Sequence, residues 1–118
     1  MAFKFEQLKV WQRSIELSGE IFELTKKFPR EEVYVLTAQL QRASDSIALN
    51  IAEGSTGQSN KEFKRFLGIA IRSAIEVVCC FYLARRRHLV NESQFSYFYG
   101  ELSELIKGMQ ALRKSIKS

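Results

Sequence analysis

Residues 41–70 read QRASDSIALNIAEGSTGQSNKEFKRFLGIA and contain the end of one helix and the start of the next. Leu40, Ala43, Ile47 and Ile51, with Leu36 ahead of them, fall three or four apart, the repeat of a single helix face. Gly54 stands where a left-handed C-terminal cap takes a residue without a Cβ. Ser59 and Glu62 have the spacing of a capping box, in which each side chain satisfies the other's backbone N–H, so a new helix starts there. A connection this short makes the two helices antiparallel neighbours.

Downstream, helix three carries Phe63, Phe66, Leu67, Ala70, Ala74, Val77, Val78 and Phe81, and over residues 77–83 it is apolar on every side. Such a helix is buried on more than one face, either centrally or at a subunit interface. Arg85, Arg86 and Arg87 place cations where the helix dipole favours them, and Asn91 with Gln94 repeats the capping spacing. Helix four then shows an unbroken heptad seam of Phe95, Phe98, Leu102, Leu105, Met109, Leu112 and Ile116. Upstream, Leu8, Trp11, Ile15 and Phe22 recur at helical spacing, with Leu17, Ile21, Leu24 and Phe28 widening the stripe of helix one. Phe28-Pro29 ends it, and Pro29 precedes an acidic first turn, Glu31 and Glu32, from which helix two starts. The pattern predicts an all-α fold: an antiparallel up-down-up-down four-helix bundle in a single domain, 1–118.

Composition agrees, with one Pro, six Gly, 46% hydrophobic and 26% charged residues. Nothing at the N-terminus reads as an export signal, and the longest apolar run, residues 77–84, is far short of the ~20 residues of a membrane span. A cytoplasmic protein with no membrane association is expected. Adjacent Cys79 and Cys80 would form a strained disulfide and lack C-x-x-C spacing, so they read as reduced thiols, at least one of them in the core.

Catalytic chemistry has little to stand on. Carboxylate-bridged metals in bundles need Glu-x-x-His motifs, whereas the one histidine, His88, has Arg85 three residues before it and reads as a helix-end surface residue. The glycines of Glu53-Gly54-Ser55-Thr56-Gly57 lack the lysine and strand of a phosphate loop. A nuclease would have to draw a base or metal ligands from Glu53, Glu62 and Glu76. No catalytic residue, metal or cofactor is assigned, and the chain is expected not to be an enzyme.

Charge is more informative. The net charge is +5, and residues 55–89 carry seven Lys or Arg against two Glu, which accounts for all of it. Lys61, Lys64, Arg65 and Arg72 fall on one side of helix three, and Arg86 comes round to the same side. Nucleic-acid backbones are the common partner of such a stripe, because counterion release drives binding; a solvated helix face is the competing explanation. Pairing helices two and three about residue 56 places Arg42 near Glu76, an expected inter-helix ion pair.

Gln41-Arg42-Ala43, Ser46-Ile47, Asn50-Ile51-Ala52-Glu53-Gly54, Ser59, Glu62-Phe63, Phe66-Leu67 and Ile69-Ala70, with Leu8-Lys9-Val10-Trp11 upstream, resemble the bacterial proteins encoded in intervening sequences of 23S rRNA genes. The resemblance spans nearly the whole chain and is strongest in helices two and three. It implies a ribosomal-protein-like four-helix bundle that assembles as a homopentamer, without established enzymatic activity. The group is also similar to the accessory protein of diversity-generating retroelements, a basic pentamer implicated in binding nucleic acid and a reverse transcriptase. Arg72-Ser73 stands where the family commonly has Gly-Ser, which adds a charge.

Two functional expectations follow. The first is a homo-oligomer that binds RNA or DNA, RNA foremost, through Lys61, Lys64, Arg65 and Arg72. The second is an oligomeric scaffold for a partner protein, its cations serving steering or solubility. Oligomerisation is expected because helix three, Phe3, Phe5 and the seam of helix four present more apolar surface than one thin bundle covers.

Overall fold

We describe residues 2–117 from a computed structural model of the protein. They form four α-helices, α1 (Lys9–Thr25), α2 (Ala38–Gly54), α3 (Asn60–Arg86) and α4 (Glu92–Ser115), in an elongated bundle of 43 × 22 × 21 Å. Cross-helix partners fix the antiparallel course. Ser18 donates to Asp45 between α1 and α2, Arg42 meets Glu76 and Ser46 meets Ser73 between α2 and α3, and Arg13 meets Glu101 between α1 and α4.

Each helix buries a stripe at the spacing its sequence dictates. Leu17, Ile21, Leu40, Ile47, Ile51, Leu67, Val77, Phe81, Leu102 and Met109 are essentially inaccessible, and Phe81 stacks on Phe98 at 4.7 Å. Each such side chain contributes about 1.5–3 kcal/mol of transfer free energy. The seam of α4 is used inside the bundle: Phe95, Phe98, Leu102, Leu105 and Met109 are buried, and Leu112 and Ile116 pack against the same core. It leaves little apolar surface for a partner chain.

The core face of α1 differs from the expected one. Leu17, Ile21 and Leu24 point inwards beside Ser14, whereas Ile15 and Phe22 are about half exposed. The helix has more apolar residues than one face can hold, so spacing alone does not say which are buried. Entry into α2 also departs from a simple helix start. Pro29 leads into a 3-10 turn over Arg30–Glu32, then a π-helical turn over Val33–Thr37, and only then regular α2. The hydroxyl of Thr37 is buried there with no hydrogen-bond partner among the described residues, and Tyr34 is almost fully exposed.

Gly54 requires a second correction. It is the last residue of α2 and lies within the helix, and Ser55 follows at φ −84°, so no left-handed cap forms there. The left-handed glycine of this connection is Gly57, at φ +91°. Gly54 is needed for closeness instead. A Cβ on it would lie 2.6 Å from the Cβ of Phe66 and 3.2 Å from the ring of Phe63, so its absence lets α2 and α3 approach.

By length and composition α3 could cross a membrane, with a mean hydropathy of 1.8 over its most apolar 18 residues, which the single run 77–84 did not reveal. In the bundle that apolar character serves packing: Leu67, Ala70, Ala74, Val77 and Phe81 face the core.

Candidate nucleic-acid interface

The basic stripe begins at the capped end of α3. Ser59 Oγ accepts the N–H of Glu62 at 3.0 Å, as a capping residue should. The reciprocal half of the expected box is replaced by an ion pair, because the Glu62 carboxylate accepts from Arg65 Nε and Nη2 at 3.0–3.3 Å. The hydrogen bond from Arg65 holds the Glu62 carboxyl below its ordinary value and raises the guanidinium in return. Arg65 also lies over the ring of Phe66 at 4.4 Å. Its charge is partly matched before any ligand arrives.

Lys61 and Arg72 are exposed, and neither has an ion pair among the described residues. Lys64 is half-buried and turned towards α4, where its backbone carbonyl accepts a hydrogen bond from Arg113. The structure therefore places Lys61, Arg65 and Arg72 along the outer face and Lys64 at its edge. Ser73 points the other way and hydrogen-bonds Ser46 at 2.9 Å, so Arg72-Ser73 puts one residue into solvent and one into the α2 contact.

Beyond Arg72 the outer face is not basic. Ile75, Cys79, Tyr82 and Leu83 are exposed there before Arg86 returns the charge. At the C-terminal end the other arginines are engaged. Arg85 lies 3.9 Å from the centre of the Phe95 ring and 5.2 Å from that of Tyr82, with Glu92 3.6 Å away, and Arg87 pairs with Glu32 at 3.2 Å. His88 is exposed at φ +60°, and Leu89 N–H reaches back to Ala84 at 2.9 Å while His88 N–H reaches Arg85 at 3.0 Å. That pattern is a Schellman cap, in which the left-handed residue is ordinarily glycine.

Two cations absent from the sequence-based site belong beside it. Arg113 and Lys114, in the last turn of α4, line an open cleft of about 500 Å³ with Lys64, Gly68, Ile71 and Gln110. Counting charge along the chain separates them from Lys64 by half a bundle; antiparallel pairing of α3 and α4 was the signal that could have joined them.

The remaining reactive candidates are dispersed. Cys80 is buried and its thiol is pushed up to about 11, chiefly by burial and secondarily by Glu76 and Cys79, while Cys79 is exposed. Glu76 pairs with Arg42 at 3.7 Å, the expected partner, but both are exposed enough that the pair contributes about 0–1 kcal/mol. Glu53 and Glu62 share a small cleft of about 240 Å³ with Thr56, Gln58 and Phe66, away from Glu76.

Fold and surface together define an all-α four-helix bundle protein with exposed cations on the N-terminal half of α3. The chain belongs to the 23S rRNA-intervening sequence protein family, whose model matches residues 6–111. It is similar to the 1.70 Å crystal structure of a protein with unknown function from the S23 ribosomal protein family of Bacteroides thetaiotaomicron VPI-5482, at 27% identity over 90% of this chain and 96% of that one, with a TM-score of 0.83. Comparison with curated proteins finds no match. The family and the four-helix fold implied by residues 41–70 are thereby borne out.

Proposed function

We propose that this protein is a non-catalytic, homo-oligomeric bundle of the cytoplasm that binds nucleic acid, RNA foremost, with Lys61, Lys64, Arg65 and Arg72 contacting phosphates. The observation that carries this reading is the placement of Lys61 and Arg72 on the solvent face of α3, where neither forms an ion pair among the described residues and the Glu62 carboxylate near Lys61 is held by Arg65. Exposed cations gain most from displacing counterions when no acid already matches them. The pentameric state implied by the family resemblance would repeat the stripe around a ring and strengthen its field. Fluorescence anisotropy with a labelled single-stranded RNA tests the proposal, with sedimentation reporting the assembly state. Salt-sensitive binding that is lost in a folded Lys61→Glu/Lys64→Glu/Arg65→Glu variant supports it; no salt-sensitive binding at low ionic strength refutes it.

The exposed apolar group of Ile75, Tyr82 and Leu83 on the same helix favours a second reading, an oligomeric scaffold for a partner protein. That reading requires specific capture of a protein that survives nuclease treatment and is lost on Ile75→Asp.

A further inference from the structure

The basic residues at the two ends of α3 are not equivalent. At the C-terminal end, Arg85 and Arg87 already face Glu92 and Glu32. At the N-terminal end, Lys61, Lys64 and Arg65 meet Arg113 and Lys114 from α4, and the carboxylate engaged there is Glu62, held by Arg65. Two adjoining clefts, of about 500 and 430 Å³, share Lys64 and Arg113 in their walls and form a trough across the α3/α4 seam.

Arg113 is held in that trough. Its Nε–H donates to the backbone carbonyl of Lys64 at 2.8 Å, and its guanidinium lies over Gly68, with Nε 3.6 Å from the point where a Cβ would stand. Fixing Nε sets the plane of the group and turns the two terminal nitrogens into an oriented fork, the geometry that matches two oxygens of one phosphate.

We propose that this trough is a phosphate-binding site, in which Arg113 supplies the two-pronged contact and Lys61 and Lys114 flank it as point charges. The inference rests on the nucleic-acid reading and deepens it: the phosphodiester backbone runs across the α3/α4 seam at this end of the bundle, with Arg72 beyond its edge. Inorganic tripolyphosphate would present the same chemistry, so both ligands are tested.

The experiment measures RNA anisotropy against salt for the full chain, for Arg113→Gln/Lys114→Gln, for Arg113→Lys, for Arg72→Gln and for Arg86→Gln, with melting curves to verify folding, and repeats the titrations with tripolyphosphate. Each lost single-strand phosphate contact lowers the log–log salt slope by about 0.7, so the double variant loses about 1.4. Arg113→Lys keeps the slope and weakens binding several-fold through loss of the fork, and Arg86→Gln changes neither. A purely structural role for Arg113 would move the melting temperature but not the slope, and that result overturns the proposal. RNA binding indifferent to Arg113 and Lys114 but lost with Arg72→Gln overturns the trough and leaves the nucleic-acid reading standing. Tripolyphosphate binding that depends on Arg113, without RNA binding, keeps the trough as a phosphate site and removes the nucleic-acid reading.

Discussion

Replacing Gly54 separates two explanations for a glycine at the end of a helix. In the structure an alanine Cβ at this position would stand 2.6 Å from the Cβ of Phe66, about 1 Å inside the ~3.5–4.0 Å of a favourable carbon contact. Neither atom can swing aside, because each is bonded directly to its backbone. α2 and α3 must therefore part locally, and overpacking of this kind costs about 1–3 kcal/mol. The ~1 kcal/mol by which alanine exceeds glycine in helix propensity offsets part of that. We expect Gly54→Ala to destabilise by up to about 2 kcal/mol, which for a domain of this size lowers the melting temperature by up to roughly 8 °C. Gly54→Asn, larger and no better placed, should cost about 1 kcal/mol more by the same overpacking argument. A left-handed cap gives the opposite order, since asparagine tolerates positive φ better than alanine does. That order belongs to Gly57, at φ +91° with open space around its Cβ position. Thermal melts of Ala and Asn variants at both sites form the assay; if Asn outranks Ala at Gly54, the close-approach argument is wrong.

Two further predictions concern α3. His88 holds the left-handed position of a Schellman cap at φ +60°, so His88→Gly should stabilise the protein by about 0.5–1 kcal/mol, measured by urea denaturation, the ~1–2 kcal/mol relief of left-handed strain exceeding the entropy cost of glycine. The Cys80 thiol, pushed up to about 11 from 9.0 by burial first, stays protonated in the folded chain while the unfolded chain ionises. Its contribution is complete below pH 9 and disappears as pH rises towards 11, at about 1.4 kcal/mol per pH unit; Cys80→Ala should lack this part of the alkaline loss, and parallel denaturation curves for the two proteins would expose the absence of any difference.

Much of the bundle was legible because helix periodicity, caps and heptads are local signals. The Arg42–Glu76 pair came from nothing more than folding two helices about residue 56, and the reciprocal cap at Asn91 and Gln94 closes in both directions at 2.7–2.8 Å. The failures share a cause: each depends on a neighbour distant in sequence or on a competition among equals. Gly54 looked like a cap because nothing in its own segment shows Phe66 arriving at its Cα. Ile15 and Phe22 matched the helical spacing as well as Leu17 and Ile21 did, and only the direction of α2 and α4 decided between them. The π-helical turn over Val33–Thr37 leaves no mark in a 3.6-residue pattern. At the candidate site, Lys61, Lys64, Arg65 and Arg72 were visible as a stripe, but the Glu62 carboxylate that occupies Arg65 and the two cations contributed by α4 were not.

RNA binding as a function of salt is the most direct test of the account, measured on the full chain and on a folded Lys61→Glu/Lys64→Glu/Arg65→Glu variant. The four phosphate contacts of Lys61, Lys64, Arg65 and Arg72 on a single strand correspond to a log–log slope near −2.8, or about a fifty-fold loss of affinity between 50 and 200 mM salt, and contacts from Arg113 and Lys114 steepen it. The account predicts a slope of at least that size for the full chain and loss of binding in the variant. Equal affinity in the two proteins, or affinity indifferent to salt, would contradict it.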